Sequence, residues 1–286
     1  MKLARMSRCG EVSLVLASGG GFFDLGATAE ATGIPLPRDM YGAMLRAGDL
    51  SELIAAALPN AAPYDMEGAA FEAVLPSPGK ILCVGTNYRE HLLECGMPFP
   101  SAPVLFGKFS NAFAAHGQDI AIPSIVREAD YECELVIVIG KRCKGAPRER
   151  ALDFVLGYTC GNDLSARDLQ FVSTQWLIGK TPDGFAPAGP WIVTAGDVNP
   201  DALDISTRVN GEVRQSANTS DMIFDCAEII SYASSIMTLE PGDLIFTGTP
   251  HGVAMGYPEG ERPWLERGDI VEVSIEGIGV LRNKMV

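Results

Sequence analysis

Two acidic residues, Glu132 and Glu134, stand two positions apart at the start of an apolar stretch that continues to residue 139. Successive side chains of a strand point to opposite faces, so the two carboxylates are expected to share one face. The same face continues with Val136 and Val138, and burying two carboxylates on it is costly unless a cation lies between them. A hard divalent metal is the simplest such cation. The alternative is an edge strand whose acidic pair faces water.

A third carboxylate, that of Asp163, follows a strand-like segment at residues 157–160. At the end of that strand it could complete a three-carboxylate site. Such a site leaves positions open on a six-coordinate Mg²⁺ or Mn²⁺ for water and substrate oxygens. The alternative is that Asp163 caps the turn of helix that follows it. For the neighbouring Asp168 we expect a structural salt bridge.

Composition limits the class of protein that carries these residues. The 286 residues are 47% hydrophobic, and 22 basic against 36 acidic side chains give a net charge of −14. This charge argues against binding to nucleic acids or to anionic membranes. The sequence has neither a signal-peptide core nor an apolar stretch of 18 residues. Its seven cysteines include no Cys-x-x-Cys pair, so we predict a cytoplasmic enzyme with reduced thiols.

The pattern of turns and apolar runs predicts the elements that position the acidic residues. The 31 glycines and 19 prolines favour a β-rich fold over a helical bundle. Residues 1–75 are predicted to form a small N-terminal domain, and residues 76–286 a main domain that holds the candidate site. Strands are predicted near 11–17, 22–25, 80–85, 131–140 and 244–247, hairpins at 210–211 and across 270–284, and helices over 41–57, 147–156 and 225–238.

Several motifs in this order resemble the fumarylacetoacetate hydrolase (fumarylacetoacetase) family, particularly its short acylpyruvase-like members. The resemblance runs from about residue 80 to the end of the chain. It implies an α+β, mostly β fold with a mixed β-sheet roll or barrel-like main domain, and a homodimer. The matching residues are Gly85-Thr86-Asn87-Tyr88 with His91, Glu132-Cys133-Glu134, Asn162-Asp163-Leu164-Ser165-Ala166-Arg167-Asp168, Gly179-Lys180, Asn210-Gly211-Glu212 and Thr247-Gly248-Thr249-Pro250.

The resemblance implies a metal site and a catalytic pair. Glu132, Glu134 and Asp163 match the ligands of Mg²⁺ or Mn²⁺, with Ca²⁺ a further occupant in crystals. His91 and Glu94 match a His-x-x-Glu dyad, whose spacing suits one turn of helix. A carboxylate beside an imidazole stabilises the imidazolium, which makes the pair a competent general base. A histidine taken alone would more often be an ordinary surface residue, and neither His116 nor His251 has a comparable setting.

Other matches concern the substrate. Lys180 matches an active-site lysine, although a lysine taken alone would more often lie on the surface. Gln170 matches a glutamine that holds a substrate oxygen or the attacking water, and Thr249 lies in a turn that can cradle a carboxylate. Arg167 is expected to bind substrate or to brace the metal carboxylates. Lys108 matches a lysine near the lid.

The implied reaction is hydrolysis of the C3–C4 bond of a 2,4-dioxo acid of the acylpyruvate or fumarylpyruvate type, to pyruvate and a carboxylic acid. The metal would stabilise an enolate, and residues 86–104 would close over the substrate as a lid. Oxaloacetate decarboxylation and isomerisation or decarboxylation of a 2-hydroxymuconate-type compound are alternatives on the same site. A non-catalytic binding protein is the alternative from another class, but the intact ligand set, dyad and lysine argue against it.

Overall fold

The fold is built around eighteen strands. The structure, a computed structural model, describes residues 1–286. The predicted α+β, mostly β class is confirmed. The strands are β1 (Lys2–Arg8), β2 (Glu11–Ser18), β3 (Gly21–Asp24), β4 (Ala70–Phe71), β5 (Ile81–Gly85), β6 (Val104–Lys108), β7 (Phe113–Ala114), β8 (Asp119–Ile120), β9 (Ala129–Asp130), β10 (Cys133–Ile139), β11 (Val155–Asn162), β12 (Ser165–Ala166), β13 (Ala186–Thr194), β14 (Asp204–Val209), β15 (Glu212–Asn218), β16 (Leu244–Phe246), β17 (Ile270–Ile275) and β18 (Gly279–Met285).

Short helices connect these strands. None of them combines the length and the apolar character needed to cross a lipid bilayer. The α-helices are α1 (Leu25–Thr32), α2 (Met40–Leu45), α3 (Leu50–Ala57), α4 (Arg89–Glu94), α5 (Arg167–Gln170), α6 (Leu177–Lys180) and α7 (Cys226–Ile236), and the 3₁₀ turns are Leu58–Asn60, Ser110–Ala112, Arg148–Phe154, Ala195–Asp197, Thr219–Asp221 and Ala254–Gly256.

The main sheet is mixed and open. Its strands lie in the order β3-β2-β1-β13-β11-β10-β16-β5-β6, with β4 on β1 and β7 on β13. Most neighbours are antiparallel, but β16 runs parallel to β5 and β7 runs parallel to β13. A second sheet has the order β15-β14-β17-β18-β8. Because the main sheet has free edges at β3 and β6, it does not close into a barrel.

Strand β10 lies at the centre of the main sheet, between β11 and β16. All seven of its residues are buried. Leu135 and Ile137 pack into one apolar cluster, whereas Val136 and Val138 pack into the cluster on the other face. The face of β10 that carries Glu134 therefore continues into an apolar core, as the alternation of side chains along the strand predicts.

The N-terminal segment extends the main sheet. Strand β1 pairs with β13 through Lys2 opposite Val193. Leu14 and Met40 belong to the same buried cluster as Val136. The division of the chain into domains at residue 75 remains a prediction, and both the sheet and this core are continuous across it.

Two predicted helices differ from the observed ones. The segment 41–57 forms two helices, α2 and α3, because Gly48 and Asp49 interrupt it and Asp49 occupies the N-cap position of α3. The segment 147–156 forms a 3₁₀ helix, Arg148–Phe154, instead of an α-helix. By contrast, α7 starts after Asp225, whose carboxylate accepts the backbone N–H of Glu228 at 2.8 Å as a capping residue does.

A buried carboxylate fixes the turn that enters β16. Asp243 is fully buried, accepts the backbone N–H groups of Lys80 at 2.9 Å and Glu240 at 2.7 Å, and pairs with Lys80 Nζ at 2.6 Å. We expect Asp243→Ala to lower the free energy of unfolding by about 2–4 kcal/mol, because two partly buried N–H donors and the ammonium of Lys80 lose their common buried acceptor. Urea unfolding measures this loss. Asp153→Ala, which breaks an exposed pair with Arg150, is the control, with an expected loss of less than about 1 kcal/mol. Equal losses in the two variants would contradict the role given to Asp243.

Candidate active site

The three predicted ligand residues lie together at one end of β10 and β11. Glu132 directly precedes β10, Glu134 lies in it, and Asp163 directly follows β11. The register of the two strands places Glu134 opposite Gly161, and the N–H of Asp163 donates to the carbonyl of Glu132 at 3.0 Å. All three carboxylates are buried, and one oxygen of each lies within 4.8 Å of the others. They form neither an exposed edge pair nor a helix cap.

Three buried cations surround these carboxylates. Lys180 Nζ donates to Glu132 Oε2 at 2.6 Å and to Asp163 Oδ2 at 2.8 Å. Arg167 Nη2 donates to Glu132 Oε1 at 2.5 Å. Lys108 Nζ pairs with Asp163 Oδ1, and it donates to the carbonyls of Leu164 at 3.0 Å and Phe185. Lys180 and Arg167 therefore hold two carboxylates from the cavity side.

Lys108 differs from its predicted role. Its side chain is completely buried, and it is absent from the residues that line the cavity. It therefore neutralises Asp163 from behind instead of reaching a substrate from the lid. The sequence could not distinguish these positions, because the contact joins β6 to the end of β11 across the sheet.

Asp130, which sequence reasoning did not select, anchors Arg167. Its carboxylate is fully buried, accepts Arg167 Nε at 2.8 Å and also accepts the backbone N–H groups of Ala254 at 2.7 Å and Met255 at 3.1 Å. Arg167 Nη1 in turn donates to Gln170 Oε1 at 2.9 Å. Arg167 thus orients Glu132 and Gln170 at once, which favours the bracing role over direct substrate binding.

We expect Asp130→Asn to weaken Mn²⁺ binding by about 10–100-fold, the usual effect of losing a group that orients a metal ligand. The amide oxygen can still accept the N–H of Ala254, but the amide nitrogen accepts no hydrogen bond and does not neutralise Arg167, so the orientation of Glu132 relaxes. A calorimetric titration with Mn²⁺ measures the change. Asp168→Asn is the matched control, since Asp168 accepts the backbone N–H of Arg127 at 2.9 Å and forms no salt bridge, contrary to our expectation. The parental affinity in Asp130→Asn would contradict the anchoring role.

The donor set and its charge fit a hard divalent cation. Four buried carboxylates, those of Asp130, Glu132, Glu134 and Asp163, face three buried cations. Glu134 has no cationic hydrogen-bond partner and accepts only the N–H of Gly248 at 2.8 Å. Burial, followed by the charges of Asp163 and Glu132, raises the pKa of Glu134 well above its ordinary value. A bound cation would relieve this repulsion, and all-oxygen ligands suit Mg²⁺ or Mn²⁺.

The predicted dyad forms on α4. His91 is 5% exposed, and its Nδ1 lies 2.8 Å from Glu94 Oε1. The carboxylate of Glu94 also accepts the N–H of Gly252 at 3.0 Å, which ties α4 to the loop after β16. Burial lowers the pKa of His91, but hydrogen bonds with Cys95 and Glu94 outweigh burial and raise it to about 9. The imidazole is therefore protonated at neutral pH and must lose its proton before it can serve as a base.

A pocket open to solvent, with about 390 Å³ of empty space, brings the polar groups together with an apolar wall. His91 Nε2 has no hydrogen-bond partner in the chain, and Glu94 lies behind the ring, off the cavity wall. The wall has an aromatic part that the sequence did not indicate, in which Phe106 and Trp176 pack edge to face at 5.4 Å between ring centroids. The lining residues are Val84, Gly85, Thr86, His91, Met97, Phe106, Glu132, Glu134, Asp163, Arg167, Gln170, Phe171, Trp176, Lys180, Thr249 and Met255.

Close backbone packing holds α5 and α6 at this cavity. A Cβ on Gly179 would lie 2.5 Å from the backbone and Cβ of Gln170, so glycine is required there. This contact places Lys180 and Gln170 side by side. Thr249 also lines the cavity, and its Oγ1 accepts a hydrogen bond from Gln215 Nε2 at 2.9 Å.

The comparisons with known proteins show which family this chain belongs to. The family model described as the fumarylacetoacetate (FAA) hydrolase C-terminal domain matches residues 80–286. The chain belongs to the fumarylacetoacetate hydrolase family. It is 40% identical over 279 residues to the bovine (Bos taurus) mitochondrial oxaloacetate tautomerase FAHD2A, covering 96% of this chain and 87% of that protein.

Solved structures of this family share the whole fold. The fumarylacetoacetate hydrolase from Exiguobacterium antarcticum has a TM-score of 0.88 and 34% identity, covering 100% of this chain and 99% of that one. The maleylpyruvate hydrolase from Sphingobium sp. SYK-6, in complex with manganese(II) and pyruvate, has a TM-score of 0.80 and 32% identity, with coverage of 100% and 99%. The fumarylacetoacetate hydrolase relatives of this chain thus include hydrolases, isomerases and oxaloacetate tautomerases.

Proposed function

We propose that the chain catalyses the keto–enol tautomerisation of a short 2-oxo diacid of the oxaloacetate type, with a divalent metal ion. One observation carries the proposal: among the titratable groups on the cavity wall, His91 alone is neither one of the three candidate metal ligands nor a cation paired with them. A site with a single free proton carrier suits proton transfer. The similarity to the bovine oxaloacetate tautomerase over nearly the full chain supports the choice of substrate.

His91 is placed to move the proton. In the enol-to-keto direction, the imidazolium gives its Nε2 proton to C3, and the neutral ring then takes the proton of the C2 hydroxyl. The histidine returns to its starting state, so no other proton donor is consumed. Glu94 holds Nδ1 at 2.8 Å throughout and stabilises the imidazolium.

The polar wall is placed to hold the 2-oxo acid. The metal at Glu132, Glu134 and Asp163 would supply a Lewis acid that polarises the 2-oxo group. Lys180 uses two of its three ammonium protons on carboxylates, which leaves the third for a substrate oxygen. Gln170 is held by Arg167 through Oε1, so its amide N–H₂ remains available as a donor.

Hydrolysis of the C–C bond of a 2,4-dioxo acid, to pyruvate and a carboxylic acid, is the second candidate. The apolar wall of Phe106, Phe171 and Trp176 favours it, because an acyl group would pack there. The likeness to maleylpyruvate hydrolase supports it as well. In this reaction neutral His91 would activate the water that attacks C4, so the ring would first have to lose its proton.

A panel of substrates separates these reactions. Purified protein with Mg²⁺ is assayed with two substrates. Ketonisation of enol-oxaloacetate is monitored by the fall in its ultraviolet absorbance, and hydrolysis of acetylpyruvate is monitored by the release of pyruvate. We expect the protein to ketonise oxaloacetate faster than a blank with the same Mg²⁺ concentration, and we expect this activity to be lost with chelator and in His91→Ala. Release of pyruvate from acetylpyruvate is expected to be much slower. Pyruvate release from acetylpyruvate without faster ketonisation would replace the proposal with the hydrolase. Release of CO₂ from oxaloacetate or turnover of a 2-hydroxymuconate-type compound as the main activity would also overturn it.

The homodimer implied by the resemblance remains a prediction. The edge strand β6 and the residues beside it leave Val104, Phe109 and Ile178 exposed, which is compatible with an apolar interface. Light scattering at micromolar concentration is expected to give twice the mass of one chain. A monomer would contradict the prediction.

A further inference from the structure

We propose that Cys95, together with His91 and Glu94, forms a second metal site, selective for a thiophilic cation such as Zn²⁺ and separate from the three-carboxylate site. The three residues occupy positions i, i+3 and i+4, with His91 and Glu94 on α4 and Cys95 as its C-cap. One imidazole nitrogen, one carboxylate oxygen and the thiol sulfur lie within 4.8 Å of one another.

Two of the three distances between the donor atoms lie within about 0.6 Å of those in a tetrahedral zinc site. His91 Nδ1 lies 2.8 Å from Glu94 Oε1 and 3.9 Å from Cys95 Sγ. With ordinary Zn–N, Zn–O and Zn–S bonds, the ligand atoms of a tetrahedral site lie about 3.4–3.6 Å apart. Side-chain rotations that move the atoms of each of these two pairs by about half an ångström would bring them to those separations, and a water would take the fourth position. Glu94 Oε2 keeps its bond from the N–H of Gly252 at 3.0 Å while Oε1 binds the ion.

The ligand chemistry separates this site from the acidic one. Thiolate and imidazole select zinc over magnesium, whereas an all-carboxylate site favours Mg²⁺ or Mn²⁺. Binding releases the proton held at His91 Nδ1 and the thiol proton of Cys95, and both go to solvent. Cys95 and Glu94 are partly exposed, so an ion can reach them without passing the three-carboxylate site.

Such a site would regulate the enzyme. An ion on Nδ1 displaces the Nδ1 proton and its bond to Glu94. The ring then keeps only its Nε2 proton and is no longer the imidazolium that the proposed proton transfer needs. Zinc would therefore inhibit turnover while the three-carboxylate site keeps its own metal. This consequence rests on the proposed function, but the binding itself does not.

Co²⁺ tests binding independently of activity, because a Co²⁺–thiolate bond gives a charge-transfer band in the near ultraviolet. The protein carries Cys9→Ser, which removes the one cysteine that is freely exposed, and Mg²⁺ in excess occupies the acidic site. We expect the band on addition of Co²⁺, its loss in Cys95→Ser, and displacement of Co²⁺ by Zn²⁺. Circular dichroism confirms that each variant folds, and His91→Gln is a second variant that should weaken Co²⁺ binding at least tenfold.

The possible results are distinct. A band that persists in Cys95→Ser, or no band in the Cys9→Ser protein, overturns the site. Unchanged Co²⁺ affinity in His91→Gln overturns the role of the imidazole. For inhibition, we expect micromolar Zn²⁺ to slow turnover of the parent reversibly and to have little effect on Cys95→Ser relative to its own uninhibited rate. If the band behaves as expected but neither protein turns over oxaloacetate, the metal site stands and the proposed function fails.

Discussion

Replacing Glu134 with glutamine is expected to reduce metal-dependent turnover by more than about 100-fold, since even the loss of a group that orients a ligand costs about 10–100-fold. The amide keeps an oxygen that accepts the N–H of Gly248, so the strand and the Thr-Gly-Thr-Pro turn should survive. The change removes a negative charge from the site but no volume. Steady-state rates over a range of Mg²⁺ and Mn²⁺ concentrations measure the effect.

The same variant should be more stable than the parent when both are free of metal. The pKa of Glu134 is raised in the folded protein, so keeping it ionised at neutral pH costs folding free energy, and a neutral amide avoids that cost. Urea unfolding in chelator measures the difference, with the exposed Glu149→Gln as the control. Parental turnover in Glu134→Gln, or a metal-free variant less stable than the parent, would contradict the charge balance described for the site.

Replacing His91 with alanine should lower turnover by about 10²–10⁴-fold, the usual contribution of an acid–base group, and should leave Mn²⁺ affinity unchanged. The reason is that His91 lies on the cavity wall but is not one of the three carboxylate ligands. Ketonisation of oxaloacetate and hydrolysis of acetylpyruvate are both measured, beside calorimetry with Mn²⁺. His251→Ala is the control, because His251 is exposed and lies off the cavity wall.

The outcome also distinguishes the candidate reactions. Loss of both activities means that one imidazole serves both proton transfer and water activation. Loss of hydrolysis alone, with ketonisation at the parental rate, would contradict the proton transfer proposed for His91. Other groups on the cavity wall would then have to catalyse ketonisation.

Local patterns were enough to predict much of the site. The alternation of Glu132 and Glu134 with apolar residues showed that they share a face, and the strand-like segment before Asp163 placed it at a strand end. Both conclusions depend on periodicity over a few residues. The spacing of His91 and Glu94 predicted contact on one helical turn, and the structure has it at 2.8 Å.

The rest depends on contacts between distant segments. Asp130 anchors Arg167 from 37 residues away, and nothing in its immediate sequence distinguishes it from other acidic residues. The aromatic pair of Phe106 and Trp176 joins β6 to the segment before α6, and the burial of Lys108 follows from the packing of β6. Helix 41–57 was predicted too long because amphipathic spacing continues through Gly48 and Asp49, where the backbone turns.

A calorimetric titration of the metal-stripped protein with Mn²⁺ decides whether Glu132, Glu134 and Asp163 hold a metal ion. The geometry predicts that a single Mn²⁺ binds per chain, that Glu134→Gln loses it, and that His91→Ala keeps it with parental affinity. If the metal-stripped parent does not bind Mn²⁺, the buried carboxylates are neutralised by Lys180, Arg167 and Lys108 alone, and the metal-dependent account of this site is wrong.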